Sequence, residues 1–208
     1  MPMFAEPVAA TNFSFLRGAS HPGTMVHRAF ALGMTGIGIA DRNTVAGVVR
    51  AHMAWREIGG AAGPFKLIVG ARLAFADGTP DIVAYPATRR GWGRLTRLLT
   101  LGNRRAVKGD CILHLADLLD HSDDLLLIAR GGDAALLSQL GAARPDAVWL
   151  GVTMPRGGAD ARRLAEARAL ADRVGIPLIA TNDALYADAD DRVLHDVVTC
   201  IREGVSID

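Results

Sequence analysis

The feature that most constrains this chain is an alternation. Short apolar runs of strand length, "GIGIA" (36–40), "FKLIVGARLAF" (65–75), "DIVAYP" (81–86), "LLLIA" (125–129), "AVWLGV" (147–152) and "PLIAT" (177–181), recur between stretches of helical periodicity. With the opening Pro7-Val8-Ala9-Ala10 they make about seven expected strands. Strands separated by helices pair mostly in parallel, because the helix carries the chain back along the sheet. The pattern therefore predicts an α/β fold, barrel-like or doubly wound.

The intervening segments carry their own punctuation. Ser20 and Pro22 read as a cap and first-turn pair before "TMVHRAFALG", which Gly33 ends. "VAGVVRAHMAWREIGG" reads as a second helix and "DGTP" as a reverse turn between two strands. "RGWGRLTRLLTLG" is expected to be helical and to run into an arginine-rich loop. "LADLLD", "DAALLSQLG", "DARRLAEARALADRVG" and "DADDRVLHDVVTCIREG" complete the helices. No Pro/Ser-rich linker interrupts the 208 residues, so the expectation is one domain spanning 1–208.

Half of the residues are apolar, 22% are charged and the formal net charge is +1, an ordinary globular composition. A near-neutral chain offers no global attraction to nucleic acid, so any such attraction must be local. Cys111 and Cys200 are too few for a disulfide framework or a zinc site and fit a reducing cytoplasm. The N-terminus lacks a secretory pattern, and no apolar run approaches the roughly 18 residues of a membrane span. The expected setting is cytoplasmic, without membrane contact.

Two carboxylates stand out. Asp41 follows "GIGIA" and Asp183 follows "LIATN", which places both at the C-terminal ends of strands. Parallel α/β folds build their sites at that end. Equally, an Asp after a strand serves as a turn or cap residue.

Longer motifs then add a resemblance. "TNFSFLRGASHP", "IADRNTVAGVVRAH", "LIVGARL", "RLTRLLTLGNRRAVKGDC" and "IATNDALY…LHDVVTCIREG" follow one another across essentially the whole chain. Together they resemble the polymerase-and-histidinol-phosphatase (PHP) domain at the N-terminus of bacterial error-prone DNA polymerases, relatives of the replicative polymerase III alpha subunit. The resemblance implies a distorted barrel of seven (βα) units. It also implies that this chain is an N-terminal piece of a much longer polymerase. "CIREGVSID" breaks off without a terminal closure, as such a piece would.

Active members of the wider superfamily hold up to three divalent metals on His, Asp and Glu, and the resemblance assigns those positions here. The first-strand His-x-His falls on Val8 and Ala10. The Asp-His pair after strand two falls on Asp41 and Arg42. The third-strand Glu falls on Arg72, and the His opening the next strand falls on Asp81. The final Asp-x-His falls on Asp183 and Leu185. Every imidazole is gone. Val, Ala and Leu offer a cation no lone pair, and Arg offers only donors and fixed positive charge. One or both guanidiniums are expected to stand where metal stood, paired with Asp41, Asp183 or Asp81.

The six histidines, at 21, 27, 52, 114, 121 and 195, show no ligand spacing. His21 is expected to cap a helix, and His195 to pack or hydrogen bond. Residues 89–108 hold Arg89, Arg90, Arg94, Arg97, Arg104, Arg105 and Lys108 with no acid between them. That run fits phosphate contact, a solvated face or docking of neighbouring polymerase segments.

The function expected is a degenerate, metal-free PHP domain with a structural role in damage-tolerant (translesion) DNA synthesis and repair, with no catalytic residue or cofactor of its own. The resemblance implies Mg in the polymerase domain of the full-length family. It further implies palm and thumb segments, DNA and other damage-response replication proteins as partners. The competing expectation is a metal-dependent phosphoesterase or 3'-5' proofreading exonuclease, which Val8 and Ala10 oppose.

Overall fold

A computed structural model of the chain describes residues 4–207. The first three residues and Asp208, which the single-domain expectation takes in, lie outside the described residues. The described chain forms two compact units, one from the residues up to Gly70 with those from Asp183 onward, the other from Ala71–Asn182. Seven strands are hydrogen bonded in sequence order, β1 to β7.

The first unit begins with β1 (Ala5–Ala9) and α1 (Pro22–Ala31), followed by β2 (Gly36–Arg42) and α2 (Val48–Glu57). β3 (Lys66–Leu73) starts in this unit and ends in the second. β1 and β2 run parallel, with Ala5 opposite Gly36 and Ala9 opposite Ile39. Three steps on β1 match two on β2 between Glu6 and Ala9, a bulge that interrupts the ladder. The Glu6 carboxylate accepts the Val8 N–H inside that bulge at 2.8 Å. Ile37 and Ile39 pack with Met25, Val26 and Ala29 of α1, Ala51 and Ala54 of α2, and Phe65. That cluster follows from two periods meeting, every second residue of β2 and every third or fourth of the helices.

In the second unit β4 (Ile82–Pro86) runs antiparallel both to the end of β3 and to β5 (Leu125–Ala129). The eight residues between β3 and β4 hold no helix to carry the chain back, so β4 departs from the parallel pairing expected of strand–helix alternation. β5, β6 (Val148–Val152) and β7 (Leu178–Ala180) return to parallel pairing. α3 (Arg89–Arg105), α4 (Leu115–His121), α5 (Ala134–Ala143) and α6 (Asp160–Val174) belong to this unit. Leu95, Leu98, Leu113, Leu118, Leu125, Leu127, Leu137 and Leu140 are wholly buried in it, each contributing about 1.5–3 kcal/mol by removal from water. Thr88 caps α3 by accepting the Gly91 N–H at 3.1 Å, and Asp133 caps α5 by accepting the Leu136 N–H at 2.9 Å.

Two local expectations are corrected. α3 continues through Arg105, so Arg104 and Arg105 form its last turn and not a loop, where cations favour the helix dipole. Ser20 does not cap α1: His21 holds the cap position without a capping hydrogen bond, and Pro22 sits in the first turn. The Ser20 hydroxyl instead donates to Asp191 at 2.7 Å and accepts the Ala187 N–H at 2.8 Å. It ties the start of the chain to the segment that leads into α7 (Arg192–Glu203).

Candidate functional site

The positions assigned to metal ligands divide between the units. Val8, Ala10, Asp41, Arg42, Asp183 and Leu185 lie in the first, Arg72 and Asp81 in the second.

In the first unit the end of β1 and the segment after β7 are joined through main chain. Ala184 donates its N–H to the Val8 carbonyl at 3.1 Å, and Ala10 donates to the Ala184 carbonyl at 2.9 Å. The Leu185 carbonyl accepts the Ala19 N–H at 2.8 Å. The segment that carries Val8 and Ala10 and the segment that carries Asp183 and Leu185 are thus neighbours. Val8 is 0% and Ala10 2% exposed, so their side chains fill space with hydrocarbon. Asp183 takes a left-handed backbone, φ 53°, which Asp tolerates better than most residues.

Asp41, 2% exposed, is held by hydroxyls and main chain. One oxygen accepts the Thr11 N–H at 2.7 Å and the Ser14 hydroxyl at 2.7 Å. The other accepts the Thr11 hydroxyl at 2.9 Å. Ser14 passes the chain of bonds on by accepting the Arg42 N–H at 3.0 Å. Of the three carboxylates offered as guanidinium partners, Asp41 takes its hydrogen bonds from Thr11 and Ser14. Three donors satisfy a buried carboxylate without a counter-ion. The loop that delivers them closes tightly, since a Cβ on Gly18 would fall 2.1 Å from the Thr11 carbonyl oxygen. Thr11, Ser14 and Glu6 were not singled out as site residues; the "TNFS" turn beside a strand end was the available signal.

Arg72 lies in β3 opposite Val83 of β4 and is 9% exposed. Asp81 immediately precedes β4, and its carbonyl accepts the Arg130 N–H at 3.2 Å. A divalent cation needs several oxygen or nitrogen donors converging on one point. Among the described residues no group of three or more His, Cys, Asp or Glu is arranged to hold one. The side chains of Val8, Ala10 and Leu185 have no lone pair to offer, and the Asp41 carboxylate is turned to three protein donors. The residues present do not fit the multinuclear centre that the fold family implies.

The basic stretch looks different in three dimensions. Arg94 reaches Asp123 at 2.7 Å, Arg90 stands 4.0 Å from Asp124, and Arg105 pairs with Asp117. Hydrogen bonding from Arg105 holds the Asp117 carboxyl below the usual Asp range, against the opposing effect of burial. Acids from α4 and the turn after it thus meet a run that contains none in sequence. Arg97, Arg104 and Lys108 remain exposed. His195 packs its ring against Tyr186, centroids 5.4 Å apart.

A family model described as PHP domain matches residues 9–174. The chain is 49% identical over 211 residues to an error-prone DNA polymerase of Brucella abortus, covering 98% of this chain and 20% of the relative. It is 51% identical over 213 residues to error-prone DNA polymerase 1 of Rhizobium meliloti, covering 99% of this chain and 19% of the relative. The chain therefore spans about a fifth of the length of these curated relatives. Among solved structures it is similar to a protein of Bifidobacterium adolescentis assigned as a metal-dependent phosphoesterase (TM-score 0.60, 16% identity, 95% of this chain and 97% of that one). An amidohydrolase of Chromobacterium violaceum is also similar (TM-score 0.58, 16% identity, 90% of this chain and 89% of that one). At such identity the likeness is one of fold, and it agrees with the distorted seven-unit (βα) barrel class expected from the sequence.

Proposed function

Because the chain belongs to the PHP domain family, we propose that it is the non-hydrolytic, architectural PHP domain of an error-prone DNA polymerase. In this reading it braces the remaining polymerase chain during cytoplasmic, damage-tolerant DNA synthesis and repair, while nucleotidyl transfer and its Mg belong to segments outside residues 1–208. The observation that carries the reading is the hydrocarbon buried at the end of β1. Val8 and Ala10 bury hydrocarbon where the resemblance places imidazoles, and Asp41 accepts three hydrogen bonds from Thr11 and Ser14.

A phosphoesterase or exonuclease needs a metal to make hydroxide at neutral pH and to stabilise charge on the phosphate. The hydrocarbon at Val8 and Ala10 and the three hydrogen bonds on Asp41 speak against such a metal. Titration of the purified chain with Mn and with Zn, followed by calorimetry, tests the reading. No saturable binding is expected, and a stoichiometric site that is lost in Asp41→Ala and Asp183→Ala would overturn it.

A further inference from the structure

Helix α7 is mounted inside out. Its inward face carries polar side chains beside Val198. Asp191, just before it, accepts the Ser20 hydroxyl at 2.7 Å, His195 packs on Tyr186, and Arg202 donates to the Leu16 carbonyl at 3.0 Å. His195 Nε2 and Thr199 Oγ1, four residues apart on that face, are buried without a hydrogen-bond partner. The opposite face is apolar. Val193, Leu194, Val197 and Ile201 follow the i, i+4, i+8 and i, i+3, i+7 rows and are between 40 and 69% exposed. Phe15, 81% exposed, belongs to the turn that Arg202 holds through Leu16. No residue of α7 is fully buried. A helix normally turns such a stripe toward the core, and a contiguous exposed apolar patch marks an interaction surface.

We propose that this outward face of α7, with Phe15 at its edge, is the surface on which the rest of the polymerase polypeptide docks. The inference rests on the architectural reading above and names its contact. The charges on the helix select the kind of partner. Arg192 faces Asp196 at 3.6 Å and Arg202 bonds Glu203 at 2.8 Å, so the helix carries two cations and two anions, already paired. Such a surface has no basic excess for lipid headgroups or nucleic acid and fits an apolar protein face. The relatives supply the candidate, since about four fifths of each lies outside the length this chain covers.

Cysteine accessibility in the full-length polymerase tests the assignment. V197C on the docking face and M53C, at an exposed site of α2 in the same unit, are introduced separately with C111S and C200A. Maleimide labelling is followed peptide by peptide by mass spectrometry, with the urea-unfolded rate as reference. Both replacements are conservative and exposed, so the fold is preserved. The V197C thiol is expected to label at least about tenfold more slowly than the M53C thiol in the native polymerase. Equal, fast labelling of V197C overturns the proposal. Protection of M53C instead overturns this surface while leaving the architectural reading standing, and fast labelling of both undermines that reading too. Protection of V197C that vanishes on dilution assigns the face to a second copy and also overturns the proposal.

Discussion

Thr11 and Asp41 meet through two hydrogen bonds, the Thr11 N–H on one carboxylate oxygen at 2.7 Å and the Thr11 hydroxyl on the other at 2.9 Å. This clasp makes a carboxylate at a strand end the fastener of the 11–18 loop. Asp41→Asn removes the charge and sets an amide donor against donors. The expected cost is about 2–3 kcal/mol, read as a lower urea midpoint, with Thr11→Val costing about half as much. A loss for Asp41→Asn below about 0.5 kcal/mol would show that the clasp does not hold the loop.

The Arg105–Asp117 pair gives a pH dependence with a definite sign. Hydrogen bonding from Arg105 lowers the Asp117 carboxyl in the folded chain, so the unfolded chain takes up the proton first as pH falls. The contribution is fully present above the ordinary Asp range and is lost as pH drops through the depressed folded value. Asp117→Asn should flatten that acid limb and leave the slope near neutrality unchanged, as measured by urea unfolding at a series of pH values. The effect is modest, because Arg105 keeps 38% of its side chain in water. An acid limb identical in the variant would contradict the assignment.

The basic helix leads to a prediction about DNA. With Arg94, Arg105 and Arg90 facing Asp123, Asp117 and Asp124, three of the cations of α3 are compensated and only Arg89, Arg97 and Arg104 are left, too few for a continuous phosphate track. Reversing Arg97 and Arg104 to Glu in the full-length polymerase should therefore leave the salt dependence of DNA affinity unchanged. A fall of about 2 in the slope of log K against log salt would mean that both arginines contact phosphate.

Much of the fold could be read from the sequence, because strands and helices announce themselves through local periodicity. All seven strands fall where apolar runs predict them, and "LLLIA" coincides with β5 residue for residue. At positions 8, 10, 42, 81 and 185, where the resemblance expects imidazoles, the sequence alone shows Val, Ala, Arg, Asp and Leu. What escaped were relationships across distance. Asp41 finds Thr11 and Ser14 through a loop whose closing bonds have no periodic signature. Asp117 and Asp123 neutralise arginines lying in a separate helix. The sequence marks α7 as a helix, but only the structure reveals that its apolar side faces out.

The central claim is that this cleft holds architecture in place of hydrolytic chemistry. Its most direct measurement is the rate at which the purified chain cleaves an activated phosphodiester and a 3'-terminal nucleotide, with Mn or Zn added and then chelated. The predicted rate equals that of buffer with the same metal, unchanged by chelator and by Asp41→Ala. Turnover that requires metal, disappears with chelator and is lost in Asp41→Ala would contradict the claim.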